Sequence, residues 1–146
     1  MNPRRVVITG LGCVTSLGQD VEPVWQAVRE GRSGIKPITK FDTTDYTTKI
    51  GGEVSDWAGG KHLAPREAKR LDRFAQFAVN AAIDAVVHAG LDFEKEDPWR
   101  CGAIIGSGVG GIEELAAGHL TLIEKGPDRV SPFMVPKLMC NAGSGN

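Results

Sequence analysis

The 146-residue sequence lacks several features by which whole classes of protein are recognised. Its three cysteines, Cys13, Cys101 and Cys140, are odd in number and irregularly spaced, which argues against a disulfide framework and against a zinc site. The formal net charge is only -1, so no strongly basic surface for nucleic acid or a membrane is indicated. No apolar run approaches the roughly 18 residues that span a bilayer. We therefore expect a cytoplasmic globular protein without a metal or cofactor and without a nucleic-acid or membrane partner.

Glycine, by contrast, is abundant: the chain holds 19, and they cluster at predicted turns. The most informative cluster, Gly106–Gly111, follows the short apolar run Ala103–Ile105. After the cluster, apolar residues recur at helical spacing from Ile112 to Ile123. This stretch predicts a strand, a glycine turn and a helix.

The same turn matches G-x-G-x-x-G through Gly106, Gly108 and Gly111, the spacing that binds a dinucleotide pyrophosphate at a helix N-terminus. Two arguments oppose that function. Glycines are needed wherever a strand reverses tightly into a helix, whether or not a phosphate is bound. The carboxylates of Glu113 and Glu114 would also repel a pyrophosphate. A dinucleotide-binding domain therefore stays only as an alternative.

The order of predicted elements indicates an α/β protein with a parallel sheet. Val6–Ile8 is a β-branched run with no polar alternation, which is typical of a central strand buried on both faces. A helix capped by Asp20 ends at Gly31, and residues 33–57 form a polar excursion with one short strand. Leu71–Ala89 is apolar around most of its circumference, which predicts a helix buried between layers.

No catalytic constellation emerges from residue types and spacing alone. Cys13 and Cys101 fall in or beside predicted strands, and we interpret them as small core residues. Each histidine is better explained as a capping or core residue than as a ligand; these are His62, His88 and His119. Residue chemistry by itself therefore predicts no catalytic site.

Four collinear segments nevertheless resemble one family. They are VVITGLGCVTSLG at 6–18, RLDRFAQFAVNAAIDAVVHAGL at 70–91, GAIIGSGVGG at 102–111 and RVSPFMVPKLMCNAGSGN at 129–146. Together they cover essentially the whole chain, and they resemble the elongating β-ketoacyl-[acyl-carrier-protein] synthases of the type II kind, in the thiolase-like superfamily. Four blocks in the same order are far more specific than a lone glycine motif.

The resemblance implies an α/β, thiolase-like layered αβαβα fold, of which residues 1–146 form the first part of the N-terminal half. It also implies a homodimer that condenses an acyl thioester with malonyl-[acyl-carrier-protein] by decarboxylative Claisen condensation in fatty acid biosynthesis. The family's catalytic cysteine and two histidines would come after Asn146, so no catalytic residue is expected here. The run of Asn, Gly and Ser at 141–146 also indicates a chain that stops within a longer protein.

Two positions match acyl-pocket residues of the family. Val109, in GSGVGG, matches a position, often isoleucine, that lines and gates the acyl pocket. Met134, in SPFMVP, matches one often occupied by phenylalanine that reaches the partner subunit's acyl pocket. A branched apolar group and a flexible thioether both suit an acyl chain, although a plain core or dimer-interface role is the competing interpretation. The segment from Lys137 to Asn146 departs from the more apolar family pattern, which leaves the acyl-length preference open.

Two alternative functions remain at this point. A non-catalytic partner of a condensing enzyme, similar to a chain-length factor, would share these segments but lack the later cysteine. A Rossmann nucleotide-binding domain would have to use the glycine turn as a phosphate site.

Overall fold

The computed structural model describes residues 3–146 and shows mainly helices joined by irregular connections. In this part of the chain the helices are α1 (Val21–Arg29), α2 (Pro65–Ala68), α3 (Arg73–Ala89), α4 (Ile112–Lys125), α5 (Met134–Leu138) and α6 (Ala142–Gly145). Two short strands, β1 (Ile35–Pro37) and β2 (Ile50–Gly52), lie between α1 and α2. Short 3-10 turns occur at Pro98–Arg100 and Pro127–Arg129.

Backbone proximity divides the described chain into two compact units. The first contains the residues up to Ala58 together with Ala81–Leu91. The second contains Gly59–Asn80 and Asp92–Asn146. Helix α3 is continuous, so one regular element contributes its first half to the second unit and its last half to the first.

Helix α3 confirms the strongest helix prediction made from the sequence. It begins at Arg73, and the Asp72 carboxylate caps this end by accepting a hydrogen bond from the N–H of Phe74 at 3.1 Å. Its many alanines have the highest intrinsic helix propensity. Gly90, with φ of +65°, ends the helix in the left-handed conformation that glycine adopts without strain.

In the first unit, the segment before α1 packs directly on the last half of α3. A Cβ atom on Gly12 would overlap the carbonyl oxygen of Ala81, so the two backbones are in contact. One residue earlier, the N–H of Leu11 donates to Nδ1 of His88 at 3.0 Å. His88 therefore binds backbone, in agreement with the structural role expected for it.

The strands β1 and β2 form an antiparallel pair in which Lys36 lies opposite Gly51. Glu53 follows β2 and fixes the loop after β1. Its Oε2 accepts hydrogen bonds from the Thr39 hydroxyl at 2.8 Å and the Thr39 N–H at 3.0 Å, and its Oε1 accepts from the N–H of Lys40 at 3.2 Å. These bonds, the Thr39 hydroxyl foremost, favour the carboxylate and lower the pKa of Glu53.

In the second unit, a buried amide joins a loop to helix α3. Asn80 is only 2% exposed. Its Oδ1 accepts a hydrogen bond from the N–H of His62 at 3.1 Å, and its Nδ2 donates to the carbonyl oxygens of Gly59 at 3.1 Å and Gln76 at 2.9 Å. The Asn80 side chain therefore attaches the loop at 59–62 to α3.

The two predicted central strands are wrong as elements of this structure. Neither residues 6–8 nor residues 103–105 form a strand, and the sheet in the described chain is the antiparallel pair β1 and β2 instead of a parallel one. Val6 is 90% exposed and Ile104 is fully exposed. An apolar β-branched run becomes a strand only when a neighbour supplies backbone hydrogen-bond partners, and within residues 3–146 these runs have no paired neighbour.

The buried core of the described chain consists of small side chains. Its apolar members are Ala27, Ala68, Ala75, Val79 and Ala142. Helix α3 was expected to be buried on most sides, but only Ala75, Val79 and Asn80 are buried, and Val87 is 69% exposed. Cys101 is also exposed, contrary to the core position expected for it. The expected burial of α3 and of Cys101 assumed that a sheet packs against them. The described chain does not form such a sheet.

Replacing the buried amide should destabilise the protein. We expect Asn80→Ala to lower the free energy of unfolding by about 1–3 kcal/mol, because the His62 N–H and the Gly59 carbonyl lose a buried partner. Urea denaturation measures this change. Asn141→Ala is the matched control, since Asn141 is exposed and its side chain makes no capping hydrogen bond. Equal losses in both variants would contradict the assignment.

The loop held by Glu53 should weaken in acid. The pKa of Glu53 is lowered from the ordinary value of 4.5, so its stabilising effect is present above that value and is lost as the pH falls through the folded-state pKa. Glu53→Gln should therefore flatten the dependence of unfolding free energy on pH on the acid side of 4.5. Urea titrations at several acid pH values test this, with Glu94→Gln as an exposed control. An unchanged slope in Glu53→Gln would refute the prediction.

Candidate functional site

The glycine turn before α4 is in contact with the C-terminal end of α5. The N–H of Gly111 donates to the carbonyl oxygen of Leu138 at 3.0 Å. A Cβ atom on Gly111 would lie 2.8 Å from the Cα of Leu138, closer than real side chains approach backbone. Gly110 has φ of +74°, and its N–H donates to the hydroxyl of Ser107 at 2.9 Å. The last two glycines of the turn are therefore required by packing and by conformation.

The first two glycines of the motif behave differently. A Cβ atom on Gly106 or Gly108 would have no neighbouring atom within 4 Å. Of the motif glycines Gly106, Gly108 and Gly111, none has a positive φ. Only the part of the turn nearest α4 is closely packed, and it packs against protein backbone. Contact with α5 therefore explains the last motif glycine, Gly111, and it does not explain the first two.

A buried carboxylate lies at the other side of this turn. Asp72, which caps α3, is 6% exposed, and its Oδ2 would lie 3.0 Å from a Cβ atom on Gly111. Negative charge is favourable near the N-termini of helices, and here one carboxylate is close to the starts of both α3 and α4. The end of the turn at Gly111 is thus close to both α5 and the cap of α3, whereas Val109 is exposed.

The predicted site residues Val109 and Met134 have different surroundings. Val109 lies within the turn and is 65% exposed, so its isopropyl group is available for contact. Met134 is half-buried at the start of α5. Its sulfur occupies the space where a side chain at Gly118 of α4 would lie. The structure brings Met134 onto α4 and does not place Val109 in the same groove.

That groove is an apolar depression of about 230 Å³ between α4, α5 and the turn before α5. It is lined by Leu115, Gly118, His119, Leu122, Val130 and Met134. The α4 members recur at intervals of three and four residues, so they form one face of the helix. A surface of this kind can contact hydrocarbon, and it offers little to a charged ligand.

One ion pair attaches α5 to α4 beside the groove. Nζ of Lys137 lies 2.5 Å from Oε1 of Glu114, and both side chains are largely shielded, with 18% and 28% of their surface exposed. From the sequence, Glu114 was considered only as a carboxylate that would repel a pyrophosphate, and Lys137 only as part of a segment that departs from the family pattern. The pairing gives both residues a shared structural role in holding α5.

The other reactive side chains form no second site. None of the three cysteines, all of which lie in the described chain, is in a disulfide. Among residues 3–146 no group of three or more His, Cys, Asp or Glu side chains is arranged to bind a metal ion. The described helices also include none that is long and apolar enough to cross a membrane. The apolar groove and the exposed Val109 are therefore the features of this region that suggest a ligand.

Comparison with known proteins assigns the chain to a family. Residues 3–146 match the family described as Beta-ketoacyl synthase, N-terminal domain. The chain belongs to this β-ketoacyl synthase family. It is 42% identical over 146 residues to 3-oxoacyl-[acyl-carrier-protein] synthase 2 of Vibrio harveyi, covering 100% of this chain and 35% of that protein. The protein of the same name from Synechocystis sp. is 43% identical over 145 residues, covering 99% and 35%. The chain thus spans about a third of the length of these relatives.

Solved structures in the β-ketoacyl synthase family show the same fold. The ishigamide ketosynthase/chain length factor superposes with a TM-score of 0.76 at 30% identity, over 95% of this chain and 35% of that one. A type II polyketide ketosynthase in complex with its acyl-carrier protein and bound to a hexaketide gives 0.77 at 25% identity, over 95% and 37%. The predicted α/β, thiolase-like fold class is therefore confirmed, although two expected strands are unpaired here.

Sequence reasoning missed the residues that surround Met134. Gly118 was available as a signal, because a glycine inside a helix costs about 1 kcal/mol relative to alanine and so suggests a packing reason. Leu115 and Leu122 lie on the same helical face, but periodicity alone does not say what faces them. The ion pair between α5 and α4 joins Lys137 and Glu114, which are 23 residues apart in the sequence, and no local pattern specifies such a contact.

The two ends of the glycine motif should respond differently to a methyl group. Gly111→Ala should lower the free energy of unfolding by about 1–3 kcal/mol, because the new Cβ meets the backbone of Leu138, which cannot move aside cheaply. Gly106→Ala is the matched control and should have little effect, since it points into open space. Denaturant unfolding of the two variants measures the difference, and equal stabilities would show that the contact with Leu138 is not tight.

Proposed function

We propose that this chain is part of a 3-oxoacyl-[acyl-carrier-protein] synthase of fatty acid biosynthesis. The observation that carries the proposal is 42–43% identity, over nearly all of the chain, to two proteins with that name. The match runs through the glycine turn and through α5, where the two predicted acyl-pocket residues lie. Because the chain spans about a third of those relatives, the activity is proposed for the whole protein that carries it.

The proposed reaction has two steps. A cysteine thiolate attacks the thioester of acyl carrier protein, the carrier leaves as its thiolate, and the acyl group becomes a thioester of the enzyme. Malonyl-[acyl-carrier-protein] then loses carbon dioxide, and the electron pair released forms a carbanion that attacks the enzyme thioester and expels the cysteine thiolate. The product is a 3-oxoacyl-[acyl-carrier-protein] with two more carbons. By resemblance, two histidines stabilise the charge that develops during these steps.

Within this scheme the described residues shape the acyl site and carry out no bond-breaking step. By resemblance, Val109 gates the acyl pocket and Met134 contacts the acyl chain held by the partner subunit. The exposed isopropyl group of Val109 and the position of Met134 in an apolar groove both support these roles. Neither site needs a metal or a cofactor, since hydrocarbon is bound by apolar contact.

The proposal includes a homodimer in the cytoplasm that receives its acyl and malonyl groups from acyl carrier protein. Exposed apolar side chains support the formation of a dimer. Val6, Ile8 and Ile104 are at least 84% exposed in the described chain, and apolar surface exposed in this way favours contact with another protein surface. Recognition of a carrier protein is supported by the polyketide relative, whose structure includes its acyl-carrier protein.

A chain-length-factor-like partner is the second candidate. One matching structure is a ketosynthase/chain length factor, and it superposes on 95% of this chain. Such a protein would have the same fold without forming the enzyme thioester. The higher identity to proteins named as synthases favours the catalytic function. The glycine turn packs against backbone at Leu138, which leaves the Rossmann alternative without support.

The complete protein that contains residues 1–146 should make 3-oxoacyl-[acyl-carrier-protein] from acyl- and malonyl-[acyl-carrier-protein] without another condensing enzyme. Mass spectrometry of the carrier-bound product measures this. The 146-residue chain by itself should make none, because its cysteines and histidines match none of the catalytic positions. Product that forms only after a separate ketosynthase is added would favour the chain-length-factor function, and product from the 146-residue chain would refute the assignment of the catalytic residues.

A further inference from the structure

Gly118 is an unusual residue for its position. It lies in the middle of the 14-residue helix α4 (Ile112–Lys125), away from both helix ends, where glycine is less favourable than alanine by about 1 kcal/mol. Its φ is not positive, so conformation alone does not require glycine. A packing reason must therefore account for the missing side chain.

The packing partner is the Met134 side chain. A Cβ atom on Gly118 would overlap the sulfur of Met134 and would lie 3.3 Å from its Cγ. The absent methyl group thus leaves a recess in α4, and the thioether fills that recess. We use the name Gly118 recess for the space bounded by Gly118 and occupied by the Met134 sulfur.

The backbone that carries Met134 has little freedom to avoid a clash. Helix α5 is attached to α4 through the hydrogen bond from Gly111 to Leu138 and through the Lys137–Glu114 ion pair. Both attachments lie within four residues of Met134. Met134 can therefore move mainly by rotation about its side-chain bonds. A methionine side chain has three such bonds and so adopts more conformations than an aromatic side chain.

We propose that Gly118 is a specificity-determining position, because its recess lets the Met134 thioether withdraw from the path of the acyl chain. This inference rests on the proposed synthase function and on the predicted contact of Met134 with an acyl chain. In the described structure the Met134 sulfur lies in the Gly118 recess. Filling the recess forces the sulfur out of α4 and into space that a long acyl chain needs, so the enzyme should then favour shorter chains.

The test uses the complete synthase and compares a long with a short acyl-[acyl-carrier-protein]. Gly118→Ala should lower the ratio of kcat/KM for long over short substrate by roughly tenfold or more, the discrimination that one methylene can give in an apolar site. Ala116→Ser is the matched control, because it also adds one atom to α4 but at an exposed position, and its ratio should not change. In a Met134→Ala background, Gly118→Ala should change the ratio no further, since the side chain that uses the recess is gone.

A second measurement does not depend on activity. In the same synthase labelled with ¹³C-methyl methionine, the Met134 resonance, identified by its absence in Met134→Leu, should shift in Gly118→Ala and stay in place in Ala116→Ser. An unshifted Met134 resonance in Gly118→Ala would contradict the claim that the Met134 sulfur occupies the recess. Equal loss of kcat/KM for both substrates, or a changed ratio that persists in the Met134→Ala background, would overturn the specificity role. Absence of product from the wild-type protein would reject the synthase function, while the resonance would still decide whether the recess exists.

Discussion

Close contact between the glycine turn and the backbone of Leu138 is the constraint on which the rest of the candidate site depends. It fixes the end of α5 against the start of α4 without any side chain in between. From that point α5 runs back along α4, which brings Lys137 to Glu114 and Met134 to Gly118. Val109 precedes the contact directly. The two residues predicted to meet an acyl chain therefore lie on segments that are attached to each other at one place.

The chemistry of the site follows from what such contacts can and cannot provide. Backbone packed on backbone leaves no room for a charged ligand, and the groove beside it is apolar. A pocket of this type recognises hydrocarbon by shape and by removal of water, and a difference of one methylene changes binding by about 1–3 kcal/mol. The groove in the described part of the protein is suited to contact with hydrocarbon. The proposed bond-forming steps need a cysteine and two histidines, and none of the cysteines and histidines in this chain matches those positions of the family.

The sequence was most informative where the deciding interactions are local. Helix α3 could be predicted because its alanine content, its cap at Asp72 and its stop at Gly90 all lie within the helix or next to it. The runs at 6–8 and 103–105 were predicted as strands from their composition, yet a strand also needs a neighbour, and composition does not supply one. The fold class could still be recognised, because four collinear segments identify a family even when particular strands are not formed. Met134 could be named by that resemblance, whereas its contact with Gly118 required the structure.

The fit between Gly118 and Met134 also restricts how such a protein can change over evolutionary time. The recess and the thioether are complementary, so neither the loss of the recess nor the gain of a bulkier group at position 134 is neutral by itself. A smaller residue at 134 opens a route by which 118 can later acquire a side chain, whereas the reverse order first displaces the Met134 side chain from the recess. The order in which two substitutions arise, and not only their identity, thus decides which pairs of side chains at positions 118 and 134 can be reached from this sequence.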